Sequence, residues 1–470
     1  MNMVALATVA RIAPTRGICR RFSSKARNGP TNAVKGMKDR FGDESQRFQL
    51  ITEKGVRVAS LYGYEQISTP ILENSRVFER TLGEDSDVVG KELYSFVDKG
   101  GDRLTMRPEG TAGITRALIG QHLYHDLPQK YYYFGPMFRH ERQQKGRLRQ
   151  FEQFGIELFG QNHASSDVEV IELASLFLSS LGLKNVTLEI NSLGNNASRQ
   201  IYKEALRHYL AKHEDGLSKD SLNRLSTNPL RILDSKAPQD IEILENCPVL
   251  SDYLSVPSQQ RFSFITETLA QLNIPFTVNP RLVRGLDYYQ DTVFEFKVAS
   301  SELGPQQGTV LAGGRYDGLV EKMGGIAGVP SIGWAAGMER LSLLLNDQDV
   351  PPKTRPVVVI PIPEQNHFSA DTLPPSTMAL HSHAFVISSA LRKQGVKVEF
   401  MHLTGTKAQT QKQFARADKM NASHAVLIGS EEMNSGVVTL KCLDSRTEKH
   451  CSVDQLLEEL GAKSTKKVIE

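Results

Sequence analysis

Phe138-Arg139-His140-Glu141-Arg142-Gln143-Gln144-Lys145-Gly146-Arg147-Leu148-Arg149 runs directly into Gln150-Phe151-Glu152-Gln153-Phe154-Gly155-Ile156-Glu157-Leu158-Phe159. The pattern predicts two strands, residues 130–141 and 148–159, joined by a polar loop from Arg142 to Arg147. Alternate residues of a strand share a face, so Arg139 and Glu141 point the same way. On the second strand Phe154, Ile156 and Leu158 make an apolar face fit for a core. The opposite face presents a ring, an amide, a gap and a carboxylate: Phe151, Gln153, Gly155 and Glu157. A guanidinium matches two phosphate oxygens at once, and a carboxylate beside it suits Mg²⁺ or a ligand amine. Taken alone, the stretch reads first as a solvated antiparallel hairpin with a charged turn.

Three further segments change that balance. Thr105-Met106-Arg107-Pro108-Glu109-Gly110-Thr111 sets a carboxylate and a hydroxyl around a flexible glycine, a pairing suited to an α-ammonium group. Leu282-Val283-Arg284-Gly285-Leu286-Asp287-Tyr288-Tyr289 places an arginine just ahead of a tyrosine-bearing strand. Gly333-Trp334-Ala335-Ala336-Gly337-Met338-Glu339-Arg340-Leu341 passes from small residues into a helix. Small residues admit a flat base close to the backbone, and Arg340 in the first helical turn reaches phosphates.

A chain of 470 residues predicts two or three domains. Hydrophobic content of 40% and charged content of 23% belong to a water-soluble globular protein, and no apolar run is long enough to span a membrane. A net charge of +3 confines any nucleic-acid surface to a local patch. Cys19, Cys247, Cys442 and Cys451 are scattered without a CxxC pair, which predicts neither structural zinc nor a disulfide framework. Residues 43–62 read as an amphipathic helix stopped by Gly63, Tyr64 to Pro70 as a strand, and 165–182 as another helix. From 195 to 275 the periodicity turns helical, an insert within the main domain; strand patterns resume at 276–280, 287–296 and 307–313, and 338–346 is a helix. Beyond a Pro-containing linker, 355–363, 396–400 and 424–429 read as strands alternating with helices 378–394 and 408–420, a separate α/β unit.

Taken in order, these segments resemble the three signature motifs of class II aminoacyl-tRNA synthetases: the helix and strand ending at Pro70, then Phe138–Glu157, then Gly333–Leu341. Leu282–Phe296 and Ala312-Gly313-Gly314-Arg315-Tyr316-Asp317-Gly318-Leu319 resemble the histidine-specific motifs of histidyl-tRNA synthetases, most like the bacterial and organellar branch. The resemblance runs from Gly36 to about residue 460. It implies an α+β catalytic domain over 31–350, built on an antiparallel sheet with helices and carrying the 195–275 helical insert. An anticodon-binding α/β domain over 355–470 follows, as does a homodimer formed through the first motif. The substrates implied are L-histidine, ATP with Mg²⁺ and tRNA(His). Residue by residue, Glu109, Thr111 and Gln153 would hold the histidine amino group, while Glu157 and Tyr289, with Tyr288 beside them, bracket the imidazole. Arg139 and Arg340 would clamp the ATP phosphates, Glu141 and Arg147 contact ATP or its Mg²⁺, and Phe151 lie against adenine. Arg284, also at the histidine site, would neutralise charge at the α-phosphate during attack, so that Arg284, Arg139 and Arg340 are the catalytic set. Lys407, Lys412, Arg416 and Lys419 are candidate tRNA contacts, or simply a solvated helix face.

Departures from the family pattern are few. Gln143 replaces a usual proline, Glu152 a common histidine, and Trp334 a common phenylalanine, the last bearing on the shape of the adenine pocket. The stretch Glu364–His381 is longer than the family leads one to expect. Two alternatives share the fold: a non-catalytic paralogue such as the regulatory subunit of ATP phosphoribosyltransferase, and a domain that senses tRNA without charging it. The first should lose active-site arginines and the C-terminal domain; this chain keeps Arg139, Arg284 and Arg340. The first 38 residues hold eight Lys or Arg and no acid, with Ser23-Ser24 among them. That composition reads as a mitochondrial presequence over about residues 1–27, placing the protein in the matrix, with an additional cytosolic form possible.

Overall fold

The computed structural model describes residues 32–82, 92–142, 144–286, 288–303, 308–364, 374–402 and 409–465. The presequence, Gln143, Asp287, Lys407 and much of the long stretch before His381 lie outside the described residues. The chain divides into two compact units, residues 1–350 and 351–470.

The first unit is built on an eight-stranded sheet in the order Glu65–Gln66, Gln129–Phe138, Gln150–Phe159, Ser331–Gly337, Thr309–Arg315, Gln290–Val298, Val186–Ser192, Phe276–Val278. The six inner strands are antiparallel and the two edge pairs parallel. Strand alternation divides the side chains between two cores. Phe154, Ile156, Leu158, Phe294, Phe296 and Trp334 enter one, covered by helices Gly42–Leu61, Ala164–Ser180 and Val256–Gln271. Phe159, Met137, Val293 and Tyr316 enter the other, with the first helices of the insert. Here Asp240, buried, accepts hydrogen bonds from the hydroxyls of Ser218 (2.7 Å), Ser221 (2.6 Å) and Ser235 (2.5 Å), joining two insert helices to the segment between them. No helix among the described residues is long and apolar enough to cross a membrane.

Several elements differ from the sequence expectations. Only Glu65–Gln66 forms a regular strand in the Tyr64–Pro70 run, because Tyr64 turns into the core, although the Ile67 amide still reaches the Tyr132 carbonyl at 2.9 Å. The segment Gly333–Gly337 does run into a helix, Met338–Leu344, but is itself a central strand, which its composition did not suggest. Its small residues carry no hydrophobic alternation, yet the sheet demands them: a Cβ on Gly333 would lie 2.0 Å from the Glu157 carboxylate, and one on Gly313 would lie 2.2 Å from the Gly333 carbonyl. The strand Val186–Ser192, the helix Thr111–Gly120 and a small antiparallel sheet of Leu72–Asn74, Arg103–Met106 and Ser95–Val97 were not expected.

The second unit has a five-stranded sheet in the order Val398–Phe400, Val357–Pro361, His424–Ile428, Val437–Cys442, Glu448–Ser452, the first three parallel and the rest antiparallel. Val357 and Val359 face one core, Val358 and Ile360 the other, so the strand reads as a continuous apolar run. The last two strands and the helix Val453–Thr465 extend the expected α/β pattern.

Candidate active site

A cavity of about 920 Å³ opens against the large sheet. The hairpin supplies Arg139, Glu141, Arg147, Phe151 and Gln153; the strands beyond it supply Glu295, Thr309 and Ala335; Arg284 and Arg340 complete the motif residues, and the insert closes one side with Asp234, Ser235 and Lys236. Arg139 is held by its Nε, which donates to the Pro108 carbonyl at 2.9 Å, and its guanidinium lies 5.2 Å from the Phe151 ring centre. Glu141 stands 3.7 Å from Arg139 and 3.4 Å from Arg147. Arg340 donates to the Thr309 carbonyl, and burial, with Arg147 nearby, pushes its pKa down to about 10. Three arginines around one carboxylate leave this end of the cavity with an excess of positive charge, the electrostatics of a polyphosphate site.

Next to the cavity lies a buried cluster. The helix Thr111–Gly120 begins with the Glu109 carboxylate accepting the backbone N–H groups of Thr111 (2.7 Å) and Ala112 (2.8 Å). The Thr111 hydroxyl donates to one oxygen of Glu157 at 2.6 Å, and the Tyr316 hydroxyl donates to the other. Burial pushes the pKa of Glu157 up to about 8 against these two hydrogen bonds. The Tyr316 ring packs edge to face with Tyr288 (5.6 Å) and Tyr289 (6.4 Å), whose own rings are tilted against each other at 4.6 Å. Gly110, expected to supply flexibility, has an ordinary φ of −93°. What the site requires is its missing side chain, since a Cβ there would meet the Tyr133 ring at 2.3 Å.

Glu109, Thr111, Glu157, Tyr288 and Tyr289 are thus gathered in one place, and Arg139, Glu141, Arg147, Phe151 and Arg340 in another. Arg284 joins the two. It lines the cavity, donates from Nη1 to Glu295, and its guanidinium stands 5.8 Å from the Tyr289 ring. Its Nε and the Gln153 Oε1 are buried with no partner among the described residues, polar atoms free for a ligand. Two residues of this constellation do not stand out in the sequence: Tyr316, although it lies within the histidine-specific segment Ala312–Leu319, and Glu295, one of several alternating polar residues on its strand. Arg315, next to Tyr316, is fully buried and structural, with Asp167 (2.5 Å) and Asp317 (3.0 Å) as its anions. Trp334 does not shape the cavity. It faces the opposite core, stacks on Phe177 and donates to the Val170 carbonyl at 3.1 Å, while its strand neighbour Ala335 faces the cavity. Glu152, for its part, pairs with Arg40 at 2.7 Å. In the second unit Lys412, Arg416 and Lys419 share the helix Gln409–Lys419, where Arg416 is already paired with Glu399 at 2.9 Å.

An antiparallel sheet whose hairpin and strand-to-helix junction converge arginines on one cavity defines the class II aminoacyl-tRNA synthetases, ligases that use an ATP–Mg²⁺ complex. A sequence model described as histidyl-tRNA synthetase matches residues 36–341, and one described as anticodon binding domain matches 356–463. The histidine–tRNA ligase of Gluconobacter oxydans is 45% identical over 429 residues, 91% of this chain and 98% of that protein. A chloroplastic histidine–tRNA ligase of Pyropia yezoensis is 42% identical over 426 residues, 90% of this chain and 94% of its own length. The solved apo histidyl-tRNA synthetase of S. aureus superposes with a TM-score of 0.74 at 30% identity, over 92% of this chain and 100% of that one. The chain belongs to the histidyl-tRNA synthetase family and is a histidine–tRNA ligase with a C-terminal anticodon-binding domain.

Proposed function

We propose that the buried cluster selects L-histidine and the cavity next to it holds MgATP, with Arg284 acting where the two meet. The observation that carries this reading is the Thr111–Glu157–Tyr316 hydrogen-bond chain, anchored on the same strand whose Phe151 and Gln153 line an arginine-rich cavity. A neutral imidazole has one donor and one acceptor; the carboxyl group of Glu157 and the phenol of Tyr289 can satisfy both. A pocket built to pair a polar side chain rejects analogues lacking it strongly, because its own buried groups are then left unpaired. Glu109, Thr111 and the free amide oxygen of Gln153 hold the amino group, while Arg139 and Arg340 bind the phosphates and Phe151 covers the adenine. Glu141, between Arg139 and Arg147, fits the magnesium carried by the nucleotide, with Arg147 beside it on ATP.

In the first step a carboxylate oxygen of histidine bonds to the α-phosphorus and the bond to the β-phosphate oxygen breaks, releasing pyrophosphate. Arg284 stabilises the charge that builds on the α-phosphate. In the second step a hydroxyl of the terminal tRNA ribose attacks the activated carbonyl and AMP leaves, its phosphate serving as proton acceptor. The chemistry is one of positioning and electrostatics. Arg139, Arg284 and Arg340, all lining the cavity, favour this reading over a non-catalytic paralogue. We assign residues 31–350 to catalysis and 355–470 to the anticodon, with tRNA(His) as the nucleic-acid partner and Lys412, Arg416 and Lys419 as candidate contacts. Ile71, Leu72, Phe96, Val97 and Phe134 are exposed on and beside the small sheet, and this apolar patch supports a homodimer. The Arg-rich, acid-free beginning supports mitochondrial import.

Histidine-dependent exchange of pyrophosphate into ATP by the purified protein tests the proposal. Exchange that needs histidine, and ignores histidinol and phenylalanine, is expected. Absence of exchange, or exchange indifferent to the amino acid, would overturn it.

A further inference from the structure

The residues ahead of the first helix form part of the active-site framework. The Gly36 carbonyl accepts the backbone N–H of Arg149 at 2.8 Å, laying the segment 36–40 against the start of the strand Gln150–Phe159. Arg40, on this segment, spreads its guanidinium over the Phe48 ring at 3.4 Å. Its Nη1 donates to Glu152 at 2.7 Å and its Nη2 to Glu339 at 3.3 Å. Glu339 in turn accepts the Glu152 backbone N–H with both oxygens, each at 3.0 Å. The ladder between the two strands ends at Gly337 opposite Gln153, so this side chain continues the strand pairing one step past the point where the backbone turns into the helix. The neighbours of these two acids are cavity residues: Phe151 and Gln153 flank Glu152, and Arg340 follows Glu339.

We infer that Arg40 is a positioning residue for the nucleotide, a single cation bridging two carboxylates and thereby setting Phe151 and Arg340 at a fixed separation. This rests on the reading that the cavity takes ATP. The pairing also accounts for glutamate at 152 where the family commonly has histidine: Arg40 supplies the counter-charge that makes a carboxylate tolerable there. Burial pushes the Glu339 pKa up to about 7, opposed by the backbone N–H groups of Glu152 and Glu339 and then by Arg40, so Arg40 is one of the groups that favour the charged form of this carboxylate. Without Arg40 the two acids face each other uncompensated and separate.

The test uses the full-length protein and pyrophosphate exchange, with KM for ATP and for histidine measured separately. Arg40→Gln is expected to raise KM for ATP by roughly fivefold or more while KM for histidine moves less than about twofold, because only Gln153 of the histidine-binding residues adjoins this bridge, and its strand pairing with Gly337 still holds it. Arg40→Gln combined with Glu152→Gln removes the repulsion and should restore most of the ATP affinity. An unchanged ATP KM in Arg40→Gln, equal rises for both substrates, or a double variant no better than the single one would each overturn the inference. Loss of folding in Arg40→Gln, seen by circular dichroism, would likewise show a role in general stability instead; the double variant, if folded, is then compared with wild type and must match its ATP KM for the inference to stand. If wild-type protein shows no histidine-dependent exchange, the functional reading fails instead.

Discussion

Replacing Arg284 by alanine is the sharpest test of how the two halves of the site cooperate. The substitution removes a guanidinium that donates to Glu295, stands near the Tyr289 ring and keeps a buried Nε without a partner. Glu295 is not stranded by the change, since Thr309 still donates to it at 2.8 Å and Lys297 lies 3.7 Å away. The stability loss should therefore stay near ~1–2 kcal/mol, below the ~3–5 kcal/mol of a buried pair cut in half. The chemical step should suffer more. Losing one preorganised donor to developing charge typically costs about 10²–10³ in rate, equivalent to ~2.7–4 kcal/mol. Rapid-quench single-turnover experiments separate adenylate formation from transfer to tRNA. Adenylate formation should slow by at least about a hundredfold while histidine and ATP still bind within a few-fold. Transfer from preformed adenylate should slow less, because the α-phosphate is then only part of the leaving group. A variant that activates histidine at the normal rate, or that fails mainly at transfer, would refute the reasoning and assign Arg284 to structure or to tRNA.

Two further outcomes follow from the site and one from the N-terminal composition. Because Glu157 is raised to about 8, the folded protein holds a proton that the unfolded chain releases near its ordinary value, and stability contributed by this group is lost as pH rises towards 8. Glu157→Gln should flatten that fall in melting temperature between about pH 5 and about pH 8, and parallel wild-type and variant curves would contradict the assignment. Gly110→Ala drives a methyl to 2.3 Å from the Tyr133 ring, so it should destabilise by about 1–3 kcal/mol and raise KM for histidine, as Glu109 and Thr111 shift with it; calorimetry and exchange kinetics check both. A fusion of residues 1–40 to a fluorescent protein should enter mitochondria, and diffuse cytosolic fluorescence would count against the presequence.

Much of the architecture is legible in the sequence. The hairpin 130–159, the first helix, the helical insert and the alternating C-terminal unit all follow from local periodicity, which one chain carries by itself. What escaped was whatever depends on neighbours. Ser331–Gly337 looks like no strand, because its glycines and alanines answer to Glu157 and to the adjacent backbone rather than to any propensity of their own. Tyr316 stood in view as part of a motif, but its hydroxyl acquires meaning only from Glu157, which lies 159 residues away in the chain.

The sequence by itself determined which residue types were available and where the motifs lay: arginines at 139, 284 and 340, carboxylates at 109, 141 and 157, and tyrosines at 288 and 289. Only the tertiary structure decided how they divide: Glu157 buried with Thr111 and Tyr316, three arginines around Glu141, Arg284 set between the groups, and Trp334 turned to the far core. The reason is that side-chain identity is written locally, whereas burial, strand partners and the charge a carboxyl keeps are set by segments brought together across the sheet.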